Sequence, residues 1–268
     1  MERVSSGSLF SVPGVRGSAV RTGVKPSGGY DLAVVRFDQP MTAVGMFTTN
    51  HTAAAPVMIS RQTLARGSRA CAFVVNSGNA NALTGPDGEH HARAMKECVE
   101  AKLGAPGLVF STGVIGVPLP VETVLSGIEE AAKALADDGG RVAEAILTTD
   151  SRSKQCAVRL SLPSGSQVTV GGVAKGSGMI HPNLATMLAF VATDAPVGDD
   201  ALRTILSQAV DVSFHAISVD GDTSTNDAVM LFARESVAGE HALRDADLAA
   251  LAEAITWVAR DLARQLIE

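Results

Sequence analysis

Short apolar segments alternate with longer amphipathic segments along the whole chain. The short segments predict strands at Asp31–Phe37, Ala43–Thr48, Ala70–Asn76, Leu108–Ser111, Cys156–Leu162, Gln167–Val173, Met187–Thr193 and Asp227–Ala233. The amphipathic segments predict helices at Glu89–Leu103, Val121–Leu135, Arg141–Leu147, Asp200–Val210 and Leu248–Ile267. No internal repeat and no proline- or serine-rich linker divides the chain. The alternation is therefore typical of an α/β or α+β fold.

The ends of two predicted helices carry local signals. In the first helix, the apolar face ends at Leu103, and Gly104 is placed to terminate the helix. In the last helix, Asp247 is predicted to be the N-cap. That helix runs to Glu268 without a glycine, asparagine or proline stop signal, so we expect the natural protein to continue.

Composition narrows the class of protein. Of the 268 residues, 46% are hydrophobic, which is ample for a packed core. A net charge of −6 and an aromatic content of 4% disfavour a nucleic-acid partner, which needs basic and stacking surfaces. The N-terminus does not resemble a secretory signal, and the longest apolar runs are too short to span a membrane. The sequence therefore predicts a cytoplasmic protein without a membrane partner.

Several patterns typical of metal and phosphate sites fail. The three cysteines are isolated, and His90 and His91 lack the spacing of helical metal ligands. The glycines before Lys175 are adjacent and lie four and three residues before it, which is not the spacing of a phosphate-binding loop. A calcium loop starting at Asp220 would carry Thr225 where glycine is required. The sequence predicts no metal and no cofactor.

A candidate nucleophile follows a glycine-rich stretch. This polar stretch runs from Gly171 to Ala185, and Thr186 then comes directly before a predicted strand. A threonine hydroxyl is a weak nucleophile unless a base is adjacent, and an N-terminal threonine has its own α-amine as that base. This interpretation requires attack of the Thr186 hydroxyl on the Ala185 carbonyl and cleavage between the two residues. The alternative is an ordinary loop that leads into a buried strand.

Three other polar segments adjoin predicted strands, namely Asn76–Asn81, Ser111–Gly116 and Ser218–Asp227. In the second, the Thr112 hydroxyl and a backbone N–H near Gly113 could stabilise an oxyanion. Each segment alone is equally consistent with a turn or a hydrophilic loop. Together they could complete a site around Thr186.

Taken in order, these segments resemble the ornithine acetyltransferase family, the glutamate N-acetyltransferases of arginine biosynthesis. The resemblance covers nearly the whole chain and rests on Phe47–Asn50, Ala54–Val57, Val75–Asn81, Ser111–Gly116, Leu147–Asp150, Ala174–Ile180, Pro182–Leu188 and Asp220–Asp227. Several motifs in the same order are specific, although each alone is weak. The resemblance implies layered sheets flanked by helices, in a self-cleaving architecture similar to that of N-terminal-nucleophile proteins.

The resemblance also implies how the chain is processed. Cleavage between Ala185 and Thr186 would give an α-chain of residues 1–185 and a β-chain that begins with residues 186–268. The two chains are expected to form an α/β heterotetramer. Relatives in the family continue past Glu268, so the resemblance places part of the substrate site beyond this sequence.

The implied reaction is acetyl transfer from N-acetylornithine to glutamate through an acetyl-Thr186 intermediate. The resemblance assigns Thr112 and Gly113 to oxyanion stabilisation, and Thr149, Lys175 and Thr186 to substrate binding. Lys175 suits a substrate carboxylate, or would favour the deprotonated amine.

Three functional alternatives stay open at this point. Acetyl-CoA could serve as a second acetyl donor, which would make the protein multifunctional. A self-cleaving amidase or aminopeptidase would use water as the acceptor in place of glutamate. An inactive truncated paralogue would bind or assemble without reacting.

Overall fold

The computed structural model describes residues 1–67, 69–178, 187–236 and 243–268. The strands in these ranges are β1 (Glu2–Arg3), β2 (Val15–Val20), β3 (Leu32–Phe47), β4 (Arg69–Asn79), β5 (Gly107–Val114), β6 (Lys154–Ser161), β7 (Gln167–Lys175), β8 (Leu188–Pro196) and β9 (Ala228–Arg234). The helices are α1 (Ala55–Arg66), α2 (Gly85–Leu103), α3 (Val121–Lys133), α4 (Val142–Ala145), α5 (Asp199–Asp211) and α6 (Asp245–Ile267). Among these residues, no helix is long and apolar enough to cross a bilayer.

Strand β3 joins the two halves of the sheet. The strand order is β1-β6-β7-β8-β9-β3-β4-β5, and β2 also pairs with β3. A register irregularity lies between Arg36 and Met41. Before it, β3 pairs with β2 and β4; after it, β3 pairs with β9, and only Met41 and Thr42 still pair with β4. The prediction of separate strands at Asp31–Phe37 and Ala43–Thr48 was wrong. The polar residues between them belong to one strand that changes partners at a bulge.

Apolar side chains form layers on both faces of the two sheet halves. Along β8, Ala189 and Val191 pack in a cluster with residues of α5 and α6, while Phe190 and Ala192 pack in a second cluster. That second cluster also contains alternate residues of β3, β4 and β5, whose other faces pack with α2 and α3. The arrangement follows from the two-residue period of a strand. It confirms the predicted layered sheets flanked by helices.

Five phenylalanines form the centre of the second cluster: Phe37, Phe73, Phe110, Phe190 and Phe232. The rings of Phe73 and Phe190 stack with their centroids 4.4 Å apart, although β4 and β8 are not neighbours in the sheet. The contact therefore joins one sheet half to the other face to face. The few aromatic residues of the chain are thus concentrated where the two halves of the sheet meet.

Helix ends agree with the sequence only in part. Gly104 has a φ of 64° and caps α2, as predicted. Asp247 is not the N-cap of α6, because the helix begins earlier, with Arg244 as the cap. Asp247 instead lies inside the first turn and accepts the N–H groups of Arg244 and Ser164. Helix α1 was missed because its apolar residues show only a weak helical period.

The phenylalanine cluster predicts a large loss of stability on truncation. Phe73 is completely buried, so Phe73→Ala is expected to lower the free energy of unfolding by about 3–5 kcal/mol. The control is Met58→Ala, at an exposed position on α1. Chemical denaturation measures both, and an equal, small effect of the two substitutions would contradict the assignment of Phe73 to the centre of the core.

Candidate active site

A cavity of about 580 Å³ opens where several predicted polar segments come together. The residues that line it are Lys25, Pro26, Ser27, Gly78, Thr112, Gly113, Val114, Thr148, Thr149, Gly178, Asp220 and Asp222. Each of the polar segments Asn76–Asn81, Ser111–Gly116 and Ser218–Asp227 contributes at least one of these residues. The fold therefore brings together segments that were ambiguous when considered separately.

Thr112 and Gly113 lie inside β5, not in a turn after it as the sequence suggested. They sit beside the end of β4, where Gly78 pairs with Gly113. Gly113 has a φ of 133°, and a Cβ at this position would collide with the backbone of Gly78 and Asn79. Only glycine fits this close approach of two strands. The predicted oxyanion pair is thus held on a strand rather than on a loop.

Lys175 is the last residue of β7 and is only 1% exposed, so its placement on a polar loop was wrong. Its ammonium donates hydrogen bonds to the hydroxyl oxygens of Thr148, at 2.7 Å, and Thr112, at 3.3 Å. It also pairs with Asp150, with 3.8 Å between Nζ and Oδ2. Burial lowers the pKa of Lys175 to about 8, and the attraction of Asp150 opposes that shift. Lys175 therefore lies directly behind the two threonines that line the cavity.

Asp150 organises this side of the site. Its buried carboxylate pairs with both Lys175 and Lys154, and it accepts the N–H of Gly176 at 2.6 Å and that of Thr148 at 3.1 Å. Burial alone would raise the pKa of Asp150, but the two ammonium groups and the two N–H groups outweigh it, and the pKa is lowered. Asp150 is therefore held as a carboxylate.

Thr149 faces the cavity beside this cluster. Its hydroxyl forms a hydrogen bond of 2.7 Å with the hydroxyl of Ser177. Thr149 is thus placed on the wall of the same cavity as Thr112.

The start of β8 lies between Lys175 and Asp227. Leu188 pairs with Lys175 on one side and with Ala228, the residue after Asp227, on the other. The Met187 N–H donates to Asp227 Oδ1 at 2.9 Å. Ala185 and Thr186 lie outside the described residues. The residues that directly follow Thr186 are therefore fixed by two neighbouring strands.

Asp227 is fully buried, and its Oδ2 atom has no hydrogen bond to any of the described residues. Burial raises the pKa of Asp227 to about 7, against the opposing effects of the Met187 N–H, of Ser224 and of Lys175. Such a carboxyl group can exchange a proton near neutral pH. The sequence contained Asp227 within a polar cluster but could not reveal its burial.

The segment before β9 is tied to the rest of the site by polar side chains. Asn226 donates to the carbonyl oxygens of Ala80 and Ser111, at 2.7 and 2.9 Å. The Thr48 hydroxyl donates to the carbonyl oxygen of Ser224 at 2.7 Å. Since buried carbonyls need partners, these bonds fix the segment against the ends of β4 and β5.

Comparison with known proteins places this chain in a family. A model of the ArgJ family matches residues 16–268. The chain belongs to the ArgJ family. The arginine biosynthesis bifunctional protein ArgJ of Gloeobacter violaceus is 44% identical over 267 residues, covering 97% of this chain and 66% of that protein. The ArgJ of Thermotoga neapolitana is 46% identical, covering 89% of this chain and 61% of that protein. The chain thus spans less than two thirds of the length of these ArgJ relatives.

Solved structures support the same relationship. An ArgJ chain from Bacillus halodurans is 37% identical with a TM-score of 0.62, covering 68% of this chain and 96% of that chain. The ornithine acetyltransferase of Mycobacterium tuberculosis, solved with ornithine, is 36% identical with a TM-score of 0.61, covering 68% of this chain and 98% of that chain. The l-aminopeptidase d-ala-esterase/amidase of Ochrobactrum anthropi, a variant of the ntn hydrolase fold, is 10% identical with a TM-score of 0.63, covering 98% of this chain and 86% of that chain. The last likeness concerns the fold, and it agrees with the expected N-terminal-nucleophile-like architecture.

Three residues at the site were missed by the sequence analysis. Lys25 lines the cavity and donates to the carbonyl oxygens of Tyr30 and Ala145, at 2.6 and 3.2 Å. Thr148 and Asp150 contact Lys175, yet they stood in the sequence only as part of a resembling motif. They are too far from Lys175 in the sequence for a helical or strand period to relate them, so only the fold could show the contact. Within the described ranges, no three His, Cys, Asp or Glu side chains are grouped to hold a metal ion.

The buried carboxyl of Asp227 predicts a pH-dependent effect on stability. Its folded-state pKa is raised from 3.8 to about 7, so between these values the folded protein holds a proton that the unfolded chain has lost. Stability therefore falls as pH rises through this range. The Asp227→Asn variant lacks this effect. Its free energy of unfolding relative to that of the parent should therefore increase from pH 4 to pH 8. The gain should be at least about 1 kcal/mol, since one pKa unit corresponds to about 1.4 kcal/mol.

Denaturation curves at the two pH values measure this difference. The control is Asp222→Asn, which removes an exposed carboxylate from the same polar segment. A difference between parent and Asp227→Asn that is the same at pH 4 and pH 8 would contradict the raised pKa.

Proposed function

We propose that this chain is the catalytic part of an acetyltransferase that moves an acetyl group from N-acetylornithine to glutamate through Thr186. One observation carries the proposal. Strand β8, which begins two residues after Thr186, starts between Lys175 and Asp227, and Lys175 contacts Thr112 on the cavity wall. The proposed nucleophile is thus attached, through Met187, to a strand that is paired on both sides.

The proposed reaction begins with self-cleavage. The Thr186 hydroxyl attacks the Ala185 carbonyl, and the acyl group shifts from the Thr186 nitrogen to its oxygen. Water then hydrolyses the ester and leaves a carboxylate on Ala185 and a free α-amine on Thr186. That amine becomes the base for the adjacent hydroxyl.

Acetyl transfer would use the same atoms. The Thr186 hydroxyl attacks the acetyl carbonyl, and the α-amine takes its proton and passes it to the departing ornithine nitrogen. The resulting acetyl ester is attacked by the amine of glutamate, which leaves as N-acetylglutamate. Thr112 and Gly113 would stabilise the negative oxygen in both steps, by the hydroxyl and a backbone N–H.

The charges around the cavity suit an amino acid. Lys25 lies on its wall together with Asp220 and Asp222, so the cavity offers partners for both a carboxylate and an ammonium group. The M. tuberculosis relative, solved with ornithine, supports a substrate of this class. Thr149 is proposed to contact the substrate from the cavity wall, while Lys175 is buried behind that wall.

The size of the related solved chains supports the cleavage. The B. halodurans and M. tuberculosis chains are almost completely covered by 68% of this chain. That share is close to the part of the sequence that precedes Thr186. The heterotetramer, the cytoplasmic location, the absence of a cofactor and the use of acetyl-CoA stay predictions.

Cleavage between Ala185 and Thr186 is expected to leave the two products associated. Strands β8 and β9 follow the cleavage point, but they pair with β7 and β3, which precede it. The natural full-length protein should therefore elute as one species in native buffer and give two masses in denaturant, split before Thr186. Thr186→Ala should give one mass, while the control Thr204→Ala, at an exposed position of α5, should be cleaved.

An uncleaved parent protein would refute the self-cleavage.

The acetyl transfer itself is measured with N-acetylornithine in the presence and absence of glutamate. We expect N-acetylglutamate to form and little acetate to be released. Equal acetate release with and without glutamate, and no N-acetylglutamate, would show an amidase that uses water.

A further inference from the structure

Among the described residues, the Lys175 ammonium donates two hydrogen bonds and forms one ion pair. Its partners are the hydroxyls of Thr148 and Thr112 and the carboxylate of Asp150. An ammonium group has three donors and no acceptor. Lys175 is also almost fully buried and is not among the described residues that line the cavity, so its ammonium reaches a substrate in the cavity through Thr112 and Thr148 rather than directly.

The contact with Thr112 fixes the direction of the Thr112 hydroxyl. Because the ammonium cannot accept, the Thr112 oxygen must be the acceptor of this bond. Among the described residues, this oxygen makes no other side-chain hydrogen bond, and Thr112 lies on the cavity wall. The hydroxyl proton is therefore free to point into the cavity, where a reacting carbonyl oxygen would sit.

We infer that Lys175 is a positioning residue that acts on the reaction through the Thr112 hydroxyl, and that Asp150 holds Lys175 in place for this role. The inference rests on the proposed acetyl transfer and refines the substrate-binding role of Lys175. A charged donor on the Thr112 oxygen also makes its proton a stronger hydrogen-bond donor to the oxyanion.

The protonation state of Lys175 controls this arrangement. A neutral amine has a lone pair that can accept the Thr112 proton, which would turn the hydroxyl away from the cavity. Burial lowers the pKa of Lys175, Lys154 and Lys25 add to this shift, Asp150 and Asp227 oppose it, and the resulting pKa is about 8. Loss of the oxyanion donor is thus expected at moderately alkaline pH.

A double-mutant cycle separates action through Thr112 from direct substrate binding. Thr112→Val removes the hydroxyl and should lower kcat by about 10²–10³-fold, as for the loss of one oxyanion donor. Lys175→Met should lower kcat with little change in KM. In the Thr112→Val background, Lys175→Met should cost no further activity, because its target is already absent. Thr112→Ser keeps the hydroxyl and should stay sensitive to Lys175→Met.

The opposite pattern would overturn the inference. If Lys175 binds the substrate carboxylate, Lys175→Met raises KM and has the same effect with or without the Thr112 hydroxyl. Where a variant is cleaved too slowly to yield mature enzyme, the cycle is run on the rate of self-cleavage, which forms an oxyanion of the same kind at the Ala185 carbonyl.

Two variants that remove a charge near Lys175 give a second test, because they should shift the pH profile of kcat in opposite directions. Asp150→Asn removes an attraction that raises the pKa of Lys175, so the alkaline limb of kcat should move to lower pH. Lys154→Met removes a repulsion that lowers this pKa, so the limb should move to higher pH. A merely structural role for Asp150 would lower activity without moving the limb.

Failure of the inference and failure of the proposed function are distinguishable. If the parent protein forms no N-acetylglutamate, the proposed function fails. If the parent is active and the two charge variants leave the limb in place or move it in the same direction, only the inference fails. Should Asp150→Asn not fold, the direction of the shift in Lys154→Met decides.

Discussion

The buried ion pair between Lys175 and Asp150 is the interaction on which the candidate site depends. A charged lysine can be buried only where polar or charged partners surround it, and here it pairs with Asp150 and donates to Thr148 and Thr112. The pair therefore fixes the end of β7, the loop before β6 and the middle of the cavity wall relative to one another. Asp150 extends this network to Gly176, from which the chain runs toward the predicted cleavage point.

A second constraint comes from the position of β8 in the sheet. The strand has a neighbour on each side, β7 and β9, and is buried on both faces between α5 and α6 and the phenylalanine cluster. A nucleophile joined to such a strand is held by backbone ladders rather than by a loop. The same ladders would keep the two products together after cleavage. One arrangement would thus serve both the proposed nucleophile and the proposed cleaved protein.

The sequence was sufficient for most of the architecture because strands such as Gln167–Val173 and helices such as α6 have strong periods. It was misleading where the chain changes partners within one strand, as β3 does, since a bulge has no apolar signal. At the site, Thr112, Gly113 and Thr149 could be identified from the family resemblance, and the structure places all three on one cavity. The roles of Asp150 and Asp227 could not be predicted, because burial and the contacts that shift a pKa arise from strands distant in sequence.

The central claim is that Thr186 carries the acetyl group, in a site whose oxyanion donors are Thr112 and Gly113. The most direct test is mass spectrometry of the natural full-length protein after rapid quenching with N-acetylornithine alone. We expect an acetyl group of 1:1 stoichiometry on the peptide that begins with Thr186, and loss of this group when glutamate is added. Turnover without any acetylated Thr186 peptide, or an acetyl group on another residue that glutamate removes, would contradict the account.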